Sequence, residues 1–199
     1  MNRKTTSVRH ENLTPVNDHN RKNIERNIDD CNRRVGNHPD NCSIYYRRGI
    51  SYKNIEEYDK AITDFTTAIE KAIKEAAEKS IELNELKNIP AYYFFRGMTY
   101  KEIGKYELAI TDITEAIRLN DDKTANAHNN YHERGKIYLL LYSGTESSRL
   151  KHTYINKALE DFKKAMRLTP FHTAYYQKYN ETLVLLALDL IWDTLQPHN

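Results

Sequence analysis

His128 and His132 stand one helical turn apart, with Glu133 directly after them. Two imidazoles at i and i+4 beside a carboxylate are the raw material of a divalent-metal site. The order is wrong for hydrolytic chemistry, because in the HExxH helix the glutamate follows the first histidine and acts as base. No third ligand stands nearby in sequence, so the pair reads as a solvated or groove-lining feature and no metal is expected. Carboxylates elsewhere, as in "NIEEYD" and "NELKN", alternate with lysines in the manner of solvated helix faces. A glycine-rich phosphate loop, a nucleophile elbow and a paired Cys/His spacing are all missing, so neither catalysis nor a cofactor is expected.

Cys31 and Cys42 lie eleven apart without a companion pair, which makes neither a disulfide framework nor a zinc motif and favours a reducing compartment. The opening "MNRKTTSVRHEN" lacks the apolar core of a signal peptide. The longest apolar run, "LVLLAL" continuing to "IW", is broken by Asp189 and falls short of a bilayer span. A cytoplasmic location is the expectation. With 39% hydrophobic and 29% charged residues in 199, and only six Gly and five Pro, the chain suits a soluble helical domain. A net charge of +2 is too small to call for a polyanion, so nucleic acid is not an expected partner despite Arg3, Lys4 and Arg9 near the start.

The elements that must position these residues are announced by a phrase written three times: "YYRRGISY" from Tyr45, "YYFFRGMTY" from Tyr92 and "YHERGKIY" from Tyr131. Gly49, Gly97 and Gly135 each lie four residues after one tyrosine and three before another. Ala61 and Ala109 follow their glycines by twelve and open an "AIxD" segment; the matching "ALED" starts at Ala158, eleven residues later than that spacing requires. Phe65, Ile113 or Phe162 comes next, then Ala68, Ala116 or Ala165. On a helix, i, i+4 and i+7 share a side, so each glycine is a gap between two rings. Glycine inside a helix costs about 1 kcal/mol against alanine; three at one phase require a second helix packed tightly into the gap. The six framework tyrosines are expected in the core.

These residues resemble the tetratricopeptide repeat, an aromatic, two residues, Leu, Gly, two residues, Tyr, then Ala, three residues, Phe, then Pro. The likeness runs from about Ile24 to Pro170, with Arg48, Arg96 and Arg134 in place of the usual Leu. It implies an all-α solenoid with repeats at about residues 42–89, 90–127 and 128–170 in one domain, 21–199. A half repeat around Ile28, Cys31 and Val35 precedes them, behind a mobile arm over 1–20, and a capping helix over 171–195 follows. The first two glycines are 48 residues apart, against about 34 in a standard repeat. The excess is expected as an overlong second helix striped by Ile69, Ile73, Ala76, Ala77, Ser80 and Ile81. In the third repeat the second helix is expected to lengthen at its start, through Leu150 and Tyr154.

The resemblance also implies a concave face lined by the first helices. Its slots hold Ser43, Tyr46, Ile50 and Lys53, then Ala91, Phe94, Met98 and Lys101, then Asn129, His132, Lys136 and Leu139. Tyr46, Ile50, Phe94 and Met98 make an apolar floor edged by lysines. The carboxylate clamp with which some members of the family grip acidic chaperone tails is absent, its slots holding Tyr46, Ile50, Phe95, Asn129 and Glu133. The implied function is a non-catalytic protein-interaction adaptor that takes a peptide or helix with apolar anchors, unless the chain's own terminal segment fills the trough. The alternative is an assembly subunit. The terminal helix is apolar nearly all round from Leu183 to Trp192, and such a helix is normally covered. Its cover is either a second copy, making a homodimer through Leu183, Leu186, Leu190 and Trp192, or the overlong helices.

Overall fold

The computed structural model describes residues 18–86, 88–120 and 126–195, and among them there is no strand. Among the described residues eight α-helices follow one another: α1 (Asp18–Asn37), α2 (Cys42–Asn54), α3 (Tyr58–Lys79), α4 (Ile89–Glu102), α5 (Tyr106–Leu119), α6 (Ala127–Gly144), α7 (Ser148–Leu168) and α8 (Thr173–Leu195). The tightest partners are α2 with α3, α4 with α5 and α6 with α7, and each hairpin leans on the next through α3 with α4 and α5 with α6. The stack is therefore a solenoid of three hairpins closed by α1 and α8. Residues 1–17 of the expected arm lie outside the described residues; the helix already runs at Asp18.

The glycine notches are where the hairpins close. A Cβ on Gly49 would stand 2.8 Å from the Phe65 ring, one on Gly135 2.7 Å from Phe162, and one on Gly97 3.0 Å from both the Ala109 carbonyl oxygen and Ile113 Cγ1. Phe65, Ile113 and Phe162 are buried completely, as are Ala61, Ala109 and Ala158. Glu56 and Gly104 occupy the same turn in successive hairpins, both left-handed at φ of 64° and 74°. Glycine takes that conformation freely, whereas the glutamate pays roughly 1 kcal/mol.

The framework tyrosines are not core. Beside the glycines, the buried positions of the first helices lie one residue before each tyrosine: Ile44 and Ser51 in α2, Tyr92 and Thr99 in α4, Asn130 and Ile137 in α6. Tyr45, Tyr93 and Tyr131 are half-buried, each under the guanidinium of Arg48, Arg96 or Arg134 at 5.5–5.8 Å. Those arginines grip the aspartate of the "AIxD" segment with both arms: Arg48 to Asp64 at 2.8 and 2.7 Å, Arg96 to Asp112 at 2.8 and 2.8 Å, Arg134 to Asp161 at 2.9 and 2.7 Å. The third guanidinium nitrogen, Nη1, reaches back to the preceding helix layer, to Asn32 of α1 (2.8 Å), Thr66 of α3 (3.1 Å) or Thr114 of α5 (2.9 Å). One side chain thus joins three helices, and the replacement of leucine is a built ladder rather than a tolerated departure.

The insertions are only partly helical. α3 has 22 residues against 14 in α5, and its buried stripe is Ile69, Ala72 and Ala76. Ile73 and Ala77 face out, Ser80 turns left-handed at φ 53° and ends the helix, and a single 3-10 turn over Leu83–Glu85 leads to α4. In the third hairpin α7 is lengthened as expected, but α6 also runs on to Gly144.

Candidate functional site

All twelve slot residues on α2, α4 and α6 are half-buried, neither sealed in the core nor free in solvent. This is the burial of a lined surface. Tyr46 wedges between the first two hairpins, its ring 4.9 Å from Tyr92, 5.6 Å from Phe95 and 6.1 Å from Phe65, and burial pushes its hydroxyl pKa up. Ser43 lies 3.4 Å from the Tyr92 hydroxyl. Phe94 stands edge-on to Phe95 at 5.5 Å, and with Met98 it rests on the cluster of Ala109, Ile113 and Ile137. Ala91, Asn129 and Leu139 fill the remaining places.

The lysines differ from one another. Glu133, next to slot residue His132, accepts from Lys136 at 2.8 Å and from Lys101 of the neighbouring hairpin at 3.3 Å. Burial pushes the Glu133 pKa up, but the two ammonium groups outweigh it and hold the carboxyl below its usual range. Two of the three edge lysines are thereby held by one internal carboxylate, a trio of net charge +1, whereas Lys53 makes no ion pair among the described residues. In sequence Glu133 stands out only as a misplaced metal residue and as the wrong residue in a clamp slot. Its charge opposite to two lysines on adjacent first helices was the available signal.

His132 is not arranged for metal binding. Its ring lies 4.5 Å from Tyr175 of α8 and 5.5 Å from Phe162, and its Nδ1 is buried without a hydrogen-bond partner. Tyr175 is also stacked with His172 at 4.0 Å and meets His128 Nδ1 through its hydroxyl at 2.6 Å. Among the described residues no three His, Cys, Asp or Glu side chains gather as a metal site. Burial drives the His132 pKa down to about 4. A folded-state value below the unfolded one near 6.5 means that neutral His132 contributes stability above that pH, and the contribution drains away as pH falls from about 6.5 to about 4. The urea midpoint of the wild type should therefore fall more between pH 7 and pH 4 than that of His132→Phe, whose ring keeps both stacking contacts. Parallel pH profiles would contradict the assignment.

Tyr175 and the hydrogen bond from Tyr142 to Asp189 (2.9 Å) bind α8 to the third hairpin, where it also packs along α7. α8 covers His132 through Tyr175, and its main packing is on α7 rather than on α2 and α4, the helices of Ile50, Phe94 and Met98. On α8 itself Leu186 is half-buried in line with Tyr175 and Thr182, whereas Leu183, Leu190 and Trp192 are exposed. A separate cleft of about 730 Å³ opens between the start of α2, the last turns of α3 and the start of α4. Its charges largely satisfy one another, as in Lys71 with Asp40 at 3.0 Å, and it meets the slots only at Ser43. Among the described residues no helix is long and apolar enough to cross a membrane.

Residues 43–70 and 90–123 match the sequence profile of the tetratricopeptide repeat. No curated protein matches the chain in sequence. Among solved structures, MamA is similar over 89% of this chain and 88% of its own, at 17% identity and a TM-score of 0.63. The first repeat domain of Spaghetti (RPAP3), bound to the HSP90 peptide SRMEEVD, is similar over 74% and 94%, at 18% identity and a TM-score of 0.56. YrrB, described as having an unusual peptide-binding site, is similar over 83% and 71%, at 16% identity and a TM-score of 0.57. At such identities the likeness is one of fold, and function has to be argued from the site.

Proposed function

This chain is a tetratricopeptide-repeat protein, and from that premise we propose that it is a non-catalytic adaptor whose first helices hold a peptide or helix by apolar anchors. The observation that carries this is the pairing of Glu133 with both Lys101 and Lys136. With both lysines held on that one carboxylate, what stands free for a ligand is the half-buried row of Ile50, Phe94 and Met98, together with Lys53, which makes no ion pair among the described residues. A segment with alternate or i, i+4 apolar side chains fits such a strip. An acidic tail does not, since taking it up would require the lysines to leave Glu133.

The test combines a positive and a negative probe. Wild-type protein should retain its partner from native lysate, and Ile50→Asp should weaken that capture at least tenfold, about 1.4 kcal/mol, with helical circular dichroism unchanged. A fluorescent SRMEEVD peptide, the ligand of the RPAP3 domain, should leave anisotropy flat into the high micromolar range. Undiminished capture by Ile50→Asp, or tight binding of the acidic peptide, would overturn the apolar-strip assignment.

A further inference from the structure

The two ends of the stack are finished differently. α1 turns Arg21, Lys22, Glu25, Arg26, Asp29 and Arg33 to solvent, the polar outer face that a terminal repeat needs. α8 is set like the first helix of a fourth hairpin, burying Tyr175 and Thr182 at the phase where α4 buries Tyr92 and Thr99. Its opposite side is polar only at the start, through Gln177, Asn180 and Glu181. Beyond them the same side carries Val184, Leu188, Ile191, Trp192 and Leu195, which are 58, 57, 55, 64 and 72% exposed.

We propose that this stripe is a dimer interface, closed by α8 of a second copy around a two-fold axis. Val184, Leu188, Ile191 and Leu195 are spaced four, three and four, the 3.5-residue period of a seam between two helices. A hairpin-type second helix from another protein is disfavoured by Asn180. It occupies the phase of Gly49, Gly97 and Gly135, where even a Cβ would meet the incoming helix at 2.7–3.0 Å. Head-to-tail stacking would set the stripe against the charged face of α1 and leave it unsatisfied, whereas an isologous pair matches it to itself and closes. At roughly 200 Å² per fully exposed large side chain, the five residues offer about 600 Å² on each copy. A pair that covered all of it would bury about 1,200 Å², the lower edge of stable interfaces.

Trp192 is the only tryptophan and sits on the stripe, so the protein carries its own reporter. Sedimentation equilibrium of the full chain between roughly 1 and 200 µM should show a shift from one to two chain masses, with Trp192 emission moving to the blue in step. Ile191→Asp should remain monomeric and red-emitting throughout, with a thermal melt equal to that of wild type at about 1 µM, where both are monomers, and without the rise with concentration that dimerisation gives the wild type. Leu188→Lys provides the same readout should the first variant aggregate. A wild type that stays at one chain mass with solvent-exposed tryptophan emission at 200 µM would overturn the proposal and leave the face to a partner of different sequence. A dimer untouched by both substitutions would place the interface elsewhere.

Discussion

Arg96→Leu, with Asp112 left in place, is expected to destabilise the protein by about 3–5 kcal/mol, the usual cost of stranding one partner of a buried ion pair. Asp112 is almost wholly enclosed, and Arg96 is its bidentate partner as well as the donor to Thr66 in the preceding hairpin. The loss therefore falls on contacts within a hairpin and between hairpins at once. In a stack whose stability sums neighbour terms, a break at the central repeat should also broaden the urea transition. Arg96→Leu with Asp112→Leu should recover most of the loss, because exchanging the whole pair for apolar groups removes the stranded charge. The equivalent pair in the third hairpin shows how heavy the desolvation is: burial pushes the Asp161 pKa up even with Arg134 in contact. A single variant as stable as wild type would mean that water reaches the carboxylate, and the ladder would then be ornamental.

Phe162→Ala is expected to cost about 3–5 kcal/mol, as large-to-small changes at sealed aromatic positions do. Its coupling to Gly135 is the sharper test. In the wild type, Gly135→Ala drives a Cβ to within 2.7 Å of the Phe162 ring, and overpacking of this kind costs about 1–3 kcal/mol. In the Phe162→Ala background the ring is gone, and the same change should stabilise by up to about 1 kcal/mol through helix propensity. A double-mutant cycle from urea midpoints measures this reversal of sign. If Gly135→Ala had the same effect in both backgrounds, the notch would not be what brings α6 and α7 together.

Much of this architecture was readable along the chain because the hairpin is a local device. Gly49 and Phe65 are sixteen residues apart, close enough that periodicity on two successive helices reveals their meeting. The same spacing joins Arg48 to Asp64 and Arg96 to Asp112, and with the eleven inserted residues it joins Arg134 to Asp161. That signal was present but hidden, since an arginine in a leucine slot looks like a surface residue until its guanidinium is seen beside a sealed carboxylate. The tyrosines misled in the opposite sense: an aromatic at fixed phase looks like core, yet Tyr45, Tyr93 and Tyr131 serve as half-exposed plates under cations. The stripe expected to extend α3 through Ser80 failed because periodicity does not register a left-handed stop at a serine.

The sequence by itself determined the helical class, the three hairpins and the glycine notches, since these depend on residues within one or two turns and one connection of each other. Only the tertiary structure decided which charges are spent internally and which apolar residues stay uncovered. Glu133 quiets Lys101 because α4 and α6 lie side by side, and Leu186 turns inward while Leu188 turns out because α8 docks on α6 and α7 through Tyr175. Burial and pairing are properties of neighbours in space, and on a helix that is apolar nearly all round no pattern along the chain can say which side the neighbours will take.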